Sequence, residues 1–288
     1  MAASVLTAAY VQGFERIVRH LAQQGISRVR PFVTERASNA EKHNWERLAS
    51  IAAVQKTSAR AATPEADGVW SRRVSIAQTW HAGDSFEHED VAQVLVDPNS
   101  AIANNIAMAM KRAVDDEIIA AATGAAMQGT GSTVAFPAGQ LLSYPTVPFS
   151  FDMVTEVTEK FLKNNIDPSE PKVFVIGPTQ MRKLLQLSEA TSDDYVNAKV
   201  LSNKGYVESW MGYSWVVSTR LLKPVTTDIS CLAFTKRAIG LHVAKDIWTR
   251  IAERPDISFA WQVYAAYTMG AVRTEDEHIV HVNCLDAL

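Results

Sequence analysis

Only two cysteines, Cys231 and Cys284, occur in the 288 residues, and neither belongs to a CxxC pair. A disulfide framework or a zinc knuckle needs more thiols at closer spacing, so reduced, buried thiols are expected. Charge of one sign is also missing: 28 Lys and Arg against 31 Asp and Glu leave a net charge of -3. That balance removes any general pull toward nucleic acid or an anionic membrane. No window approaches the roughly 18 uninterrupted apolar residues of a membrane span. The opening MAASVLTAAYVQGF lacks the basic start and the apolar run of a signal peptide. No contact with a membrane is expected. Catalytic signatures are equally scarce, with no GxSxG, no HExxH and no nucleophile beside a local base. With 47% hydrophobic and 20% charged residues, what remains is the profile of an ordinary soluble fold, one large domain or two small ones.

The most organised stretch is DPNSAIANNIAMAMKRAVDDEIIAAATG, Asp97 to Gly124. Asp97 suits an N-cap, Pro98 the first helical position, and Gly124 a left-handed closing residue, which predicts a helix of about 26 residues. At 100° per residue Ile102, Ile106, Ala109, Met110, Ala113 and Ala120 form one apolar face. Ala101, Met108 and Ile119 form a second, leaving a narrow polar strip at Asn104, Lys111 and Asp115. Such a helix is covered on most sides.

Around it, Leu6, Tyr10, Phe14, Ile17 and Leu21 recur at helical spacing, and Arg30-Pro31 begins an extended arm. Stretches 47–58 and 69–80 flank ARAATPEADG, whose Pro64 and Asp67-Gly68 are turn chemistry, so a long hairpin is expected there. Neither of its arms alternates cleanly, so its own domain would bury it poorly. Residues 151–165 place Val154, Val157, Phe161 and Leu162 on one helical face. KVFVIGP then reads as a buried strand, with Pro178 opening another helix. SWMGYSWVVSTRLL and DISCLAFTKRAIGLHVA add strands around Gly212 and Lys236-Arg237. In SFAWQVYAAYTMGAVR, Phe259, Trp261, Val263, Ala265, Tyr267 and Met269 alternate with more polar residues. With HIVHVNC returning after TEDE, a second long antiparallel hairpin is expected.

The candidate chemical groupings each have a plainer structural explanation. GAAMQGTGST has phosphate-loop glycines but no lysine and follows a helix. His278, His281 and Cys284 could be metal ligands, yet on a strand 281 faces away from 278 and 284. Glu87, His88, Glu89 and Asp90 cannot all converge from one turn. Arg112, Asp115 and Asp116 could form a buried ion network on the long helix, and at i, i+3 and i+4 spacing they are equally a surface helix pair. No catalytic, cofactor or metal residue is therefore assigned.

The order of elements, an arm, a long hairpin, one long helix, an α/β unit and a closing hairpin, resembles the major capsid protein of tailed bacteriophages, with the Hong Kong 97-type fold. DPNS, KRAVDDEIIAAATGAA, VIGPTQMRKLL, SDDYVNAKVL, WMGYSWVVSTRL and GAVRTEDEHIVHVNC carry the likeness, over roughly residues 10 to 284. The resemblance implies an α+β chain with an N-terminal arm (1–45), an extended-loop hairpin (46–84), a peripheral domain with the spine helix (85–149 and 226–288) and an axial domain (150–225). It implies Arg60, Pro64, Trp70, Arg72 and Arg73 of the extended loop as intersubunit contacts, and Ile102, Ile106, Met110, Ala113 and Ile119 as the core of the spine helix. It further implies a homo-oligomer of hexamers and pentamers that encloses phage DNA without reading its sequence. Scaffold, portal and decoration proteins would be the partners, and host cytoplasm the place of assembly. No scaffolding segment precedes the arm, as one does in some relatives. Two alternatives accompany this: a nanocompartment shell of the encapsulin kind, and an α/β enzyme with an anion site where GPTQ opens a helix.

Overall fold

A computed structural model of the chain describes residues 23–60, 62–65, 68–86, 98–187 and 206–287. The helical pattern of residues 6–21, the N-cap at Asp97, the Glu87–Asp90 cluster and the SDDYVNAKVL stretch lie outside them. The expected long helix is one element, α1 (Pro98–Thr123), of 26 residues. Ile106, Met110, Val114, Ile118 and Ala122 are buried along it, with Ile119 beside them, while Ile102 and Ala113 pack at the margin of the same core. This row runs at i, i+4 steps, the ridge by which a helix seats on a neighbour. Each large side chain in it contributes about 1.5–3 kcal/mol of burial. The expected polar strip is corrected in one respect: Asp115 is fully buried, whereas Ala120, assigned to the apolar face, is exposed. Burial at 115 is imposed by the arm, whose residues 24–29 lie over that side of the helix and supply its hydrogen bonds. Gly124 closes the helix without a left-handed turn; a Cβ there would sit 2.7 Å from the oxygen of Ala120.

α1 packs on a four-stranded sheet of β1 (Thr34–Ala37), β4 (Gln78–Phe86), β12 (Ile239–Arg254) and β13 (Ala260–Arg273), in the order β1-β12-β13-β4. The expected alternation in β13 is present, with Val263, Ala265, Tyr267 and Met269 buried, but Phe259 lies before the strand and is exposed. Its hairpin partner is β12, paired antiparallel from Ile239↔Arg273 to Arg254↔Ala260. The residues expected to return beside it, β14 (Ile279–Leu285), instead join a second sheet. The intervening turn redirects them: Asp276 folds back onto the buried Arg273, and Thr274 N–H bonds Ala238 O. β14 has one face buried and the other largely half-buried, and it is paired on both edges, which makes it an internal strand rather than a hairpin edge.

That second sheet has six strands in the order β7-β14-β11-β8-β10-β9, adding β7 (Leu141–Pro148), β8 (Lys172–Ile176), β9 (Ser209–Trp210), β10 (Tyr213–Val217) and β11 (Asp228–Thr235). β8 and β11 are buried throughout, and α2 (Phe151–Lys163) covers the sheet with Met153, Val154, Val157 and Phe161. Leu162, expected on that face, is half exposed, because it follows Phe161 around the helix toward solvent. Phe174 stacks on Trp215, ring centroids 4.8 Å apart, and fixes the parallel pair β8–β10. The expected boundaries at 150 and 225 both cut this sheet, since β7, β11 and β14 share it with β8 to β10. A strand as apolar as VFVI needs partners on both edges, and β11 supplies one of them.

The hairpin is shorter than the sequence suggested and begins earlier. β2 (Lys42–Leu48) pairs with β3 (Trp70–Ile76), the last rung being Ala49 N–H to Val69 O. Residues 50–60 carry no strand, and 78–86 turn away as β4 to pair with β13. LASIAAVQ has no period-two pattern, so neither face of a ladder there could be buried. A small hairpin of β5 (Ala126–Met127) and β6 (Thr133–Val134) occupies the stretch with phosphate-loop glycines, and Gly131 takes the left-handed conformation its turn needs.

Candidate functional site

Among the described residues the β2–β3 hairpin presents a broad exposed surface. β2 alternates, with His43, Trp45 and Arg47 turned toward the body and the even residues outward. At its base the hairpin is fitted closely. A Cβ on Gly240 would sit 2.6 Å from the Trp45 ring, and one on Gly270 would sit 2.6 Å from the carbonyl carbon of Ile76 and collide with its oxygen. Trp45 Nε1–H donates to Ser75 Oγ at 3.0 Å, and its ring meets His43 edge-on.

A charged network ties the same base to the turn after β13. Arg73 donates to Asp276 Oδ2 at 2.8 Å, and Arg273 donates to Oδ1 at 2.5 Å. Arg273 is wholly buried and also reaches the carbonyls of Gly124, Val134 and Ala135, with its guanidinium over the Phe136 ring. It thereby joins the carbonyl end of α1, where a cation is favoured, to the β5–β6 hairpin and the turn. Burial, partly offset by Asp276, pushes the Arg73 guanidinium below its ordinary pKa. Its Nε and Nη1 have no partner.

Farther out the surface changes character. Leu48, Ile51, Val54, Val69 and Trp70 are large apolar side chains that are all more than half exposed, Val54 and Trp70 at about 70%. Single exposed apolar residues are ordinary, but five on one outlying segment mark a contact surface. Of the five contact candidates, Arg60 stands in the outer loop with a positive φ of 61°, Pro64 is exposed, and Trp70 is bare. Arg72 is half exposed and donates to Glu46 at 2.7 Å across the strands. Arg73 is corrected: only 3% exposed, it is an internal anchor of the hairpin, because successive strand residues face opposite sides and Arg73 takes the inner one. Beside Arg72 an open groove of about 350 Å³ is lined by Glu46, Trp70, Gln128, Gly129 and Thr130.

The other groupings disperse. His278 Nδ1 lies 2.7 Å from Thr235 Oγ1, and its Nε2 lies 3.1 Å from Glu275. His281 is half-buried edge-on to Phe136, and burial lowers its pKa to about 4. Cys284 lies in the core near Cys231, both as free thiols, and the Cys231 thiol is pushed well up by a hydrogen bond with Cys284 and by burial. Among the described residues no group of three or more His, Cys, Asp or Glu is placed to hold a metal. Arg112 binds Gln23 and Gln24 O rather than either aspartate, and Asp116 pairs with Arg220. Where GPTQ opens α3 (Pro178–Gln186), Asp286 lies beside the first turn and accepts from the Gln180 side chain at 3.3 Å. Burial opposes its charge, but hydrogen bonds from Lys223, Gln180 and Thr179 hold it below the usual carboxylate range. Sequence reasoning missed Arg273 and Asp276; the only signal was their i, i+3 spacing in RTED.

The sequence model of a phage capsid protein family matches residues 6–286. The chain belongs to that family. It is a structural major capsid protein, a subunit of the multimeric shell of the virion. Solved capsids share its fold. The cyanophage P-SCSP1u capsid has a TM-score of 0.76 at 14% identity, covering 98% of this chain and 95% of that one. The cyanophage Pam1 capsid gives 0.74 at 11% over 99% and 98%, and the capsid of a native GTA particle 0.73 at 12% over the whole of both chains. At such identities the likeness is one of architecture, and it is the Hong Kong 97-type arrangement. No curated protein matches the chain.

Proposed function

We propose that this capsid subunit closes into a shell of hexamers and pentamers through its hairpin, the outer loop of one copy covering the body of the next. The supporting observation is the apolar run Leu48, Ile51, Val54, Val69 and Trp70, which the subunit's own core leaves uncovered. Head-to-tail contacts of this kind, repeated around closed rings, generate a shell from one interface. Arg60, Pro64, Trp70 and Arg72 are the hairpin's contact residues, and Arg73 holds its base so that the loop is presented at a fixed angle. Residues 1–45 act as the arm, 46–84 as the extended loop, 85–149 with 226–288 as the peripheral part and 150–225 as the axial part. The six-stranded sheet is common to the last two. The shell encloses phage DNA without base-specific contacts, is assembled in host cytoplasm, and calls for scaffold, portal and decoration proteins as partners. It has no turnover of its own.

Replacing residues 51–66 by a short Gly-Ser linker tests this. The subunit should keep its secondary structure by circular dichroism yet give no shells in negative-stain micrographs. Normal shells from the shortened chain would refute the role of the loop.

A further inference from the structure

The chain as a whole has no positive surplus, so any hold on a polyanion has to be local. An open cleft of about 340 Å³ lies between β1, the base of the β2–β3 hairpin and the turns after β11 and β13. Arg36, Arg47 and Arg237 line it from three segments far apart in sequence, together with the His43 ring and the Asn44 amide. Two carboxylates also line it, but both are committed. Glu46 accepts from Arg72 at 2.7 Å, and Glu275 lies 3.1 Å from both His278 and Arg237. The carboxylate of Glu277 stands 3.9 Å from Arg47, at the limit of an ion pair. Arg36 is exposed and has no ion-pair partner among the described residues. Neighbouring groups feel the resulting field. Burial first, then His242 and Arg36, hold the His43 imidazole below its ordinary pKa, and Arg47 and Arg273 add to the effect of burial on Arg73. Cations gathered in one cleft without matched carboxylates focus a positive potential there and attract an anion.

We propose that this cleft holds phosphate groups of the enclosed DNA backbone. The inference rests on the reading above that the shell encloses DNA, and it assigns the cleft to the inner wall. A guanidinium presents a planar fork that matches two phosphate oxygens, and it stays charged at any working pH. Duplex DNA carries a charge about every 1.7 Å along its axis, so Arg36 and Arg47 meet phosphate whatever the sequence. Contacts of this kind position the duplex and read no bases. Repeated on every subunit, weak individual contacts add up over the shell.

The test uses full-length subunits dissociated from shells and a short fluorescein-labelled duplex in two unrelated sequences, with binding read by anisotropy over a range of salt. Both sequences should bind alike. Arg36→Ala combined with Arg47→Ala should weaken binding about tenfold or more and lower the slope against log salt by about 2. Arg36→Glu alone, at an exposed position that does not endanger folding, should weaken it in the same direction. Lys56→Ala with Arg250→Ala removes the same charge outside the cleft and should change binding less than about twofold. Unchanged binding by the cleft variants, equal losses in both double variants, or no binding by the unaltered chain would each overturn the proposal. So would tighter binding of a polyglutamate peptide, which would assign the cleft to a protein carboxylate, or of inorganic phosphate alone. The DNA content of purified particles, read from their ultraviolet spectrum, is scored separately. Particles without DNA would refute the reading above, whereas filled particles whose cleft variants bind normally refute only this inference.

Discussion

Asp115→Ala is the substitution whose cost the structure defines most closely. The side chain is fully buried and its two oxygens accept four hydrogen bonds. The donors are Gln24 Nε2, Ser27 Oγ at 2.5 Å, Arg28 N–H at 3.0 Å and Val29 N–H at 3.2 Å. Gln24 and Ser27 can turn to water when the carboxylate is removed. The amides of Arg28 and Val29 cannot, since the backbone enters the turn Arg30–Phe32 directly after them and Val29 is itself wholly buried. Two stranded amides cost about 1–3 kcal/mol each, so the loss should total about 2–6 kcal/mol, most of it in seating the arm on α1. Asp115→Asn retains one acceptor oxygen and should lose about half as much. Urea unfolding of dissociated subunits measures both, and protease cleavage near residues 23–30 should appear first in the alanine variant. A loss below about 0.5 kcal/mol for Asp115→Ala, with the arm still protected, would refute the account of Asp115 as the clasp.

Gly270→Ala should displace β3, because its Cβ meets backbone rather than a yielding side chain. A loss of about 1–3 kcal/mol is expected by unfolding, and an unchanged midpoint would show that the hairpin base is not tightly seated. His281, half-buried with its Nε2 enclosed and unpartnered, has its pKa lowered by burial to about 4 from 6.5. The unfolded chain takes up that proton below about pH 6.5 while the folded one does not, so its contribution to stability is full above pH 6.5. About 2 kcal/mol is lost by pH 5. His281→Gln should flatten this acid limb, and parallel pH profiles for the two proteins would contradict it. Mature particles should give a single band at the monomer mass when boiled and reduced. The loop's one lysine, Lys56, stands exposed without the apolar pocket that would make its amine nucleophilic toward an asparagine such as Asn283. A ladder of multiples would reverse that reading.

The sequence by itself determined the elements whose signals are local. Pro98 and the apolar rows of α1 fixed a 26-residue helix, VFVI fixed a buried strand, Met211-Gly212 a tight turn, and the order of these elements was enough for the family. Unclean alternation after Leu48 already marked a hairpin its own subunit does not bury. Pairing was decided only by the tertiary structure, because a strand's periodicity states which face is apolar and never which strand lies beside it. HIVHVNC reads equally well as a hairpin arm or as a central strand. The closure of Asp276 on Arg273 is what sends it to β11, and so merges segments that looked like separate domains. Burial of charge was likewise left open by the sequence. Asp115 sits on a polar strip of the helix until the arm, 86 or more residues away in sequence, covers it with four donors. Arg73 and Arg72 are neighbours in a strand of no regular pattern, and only the fold decides that one anchors the hairpin and the other faces outward.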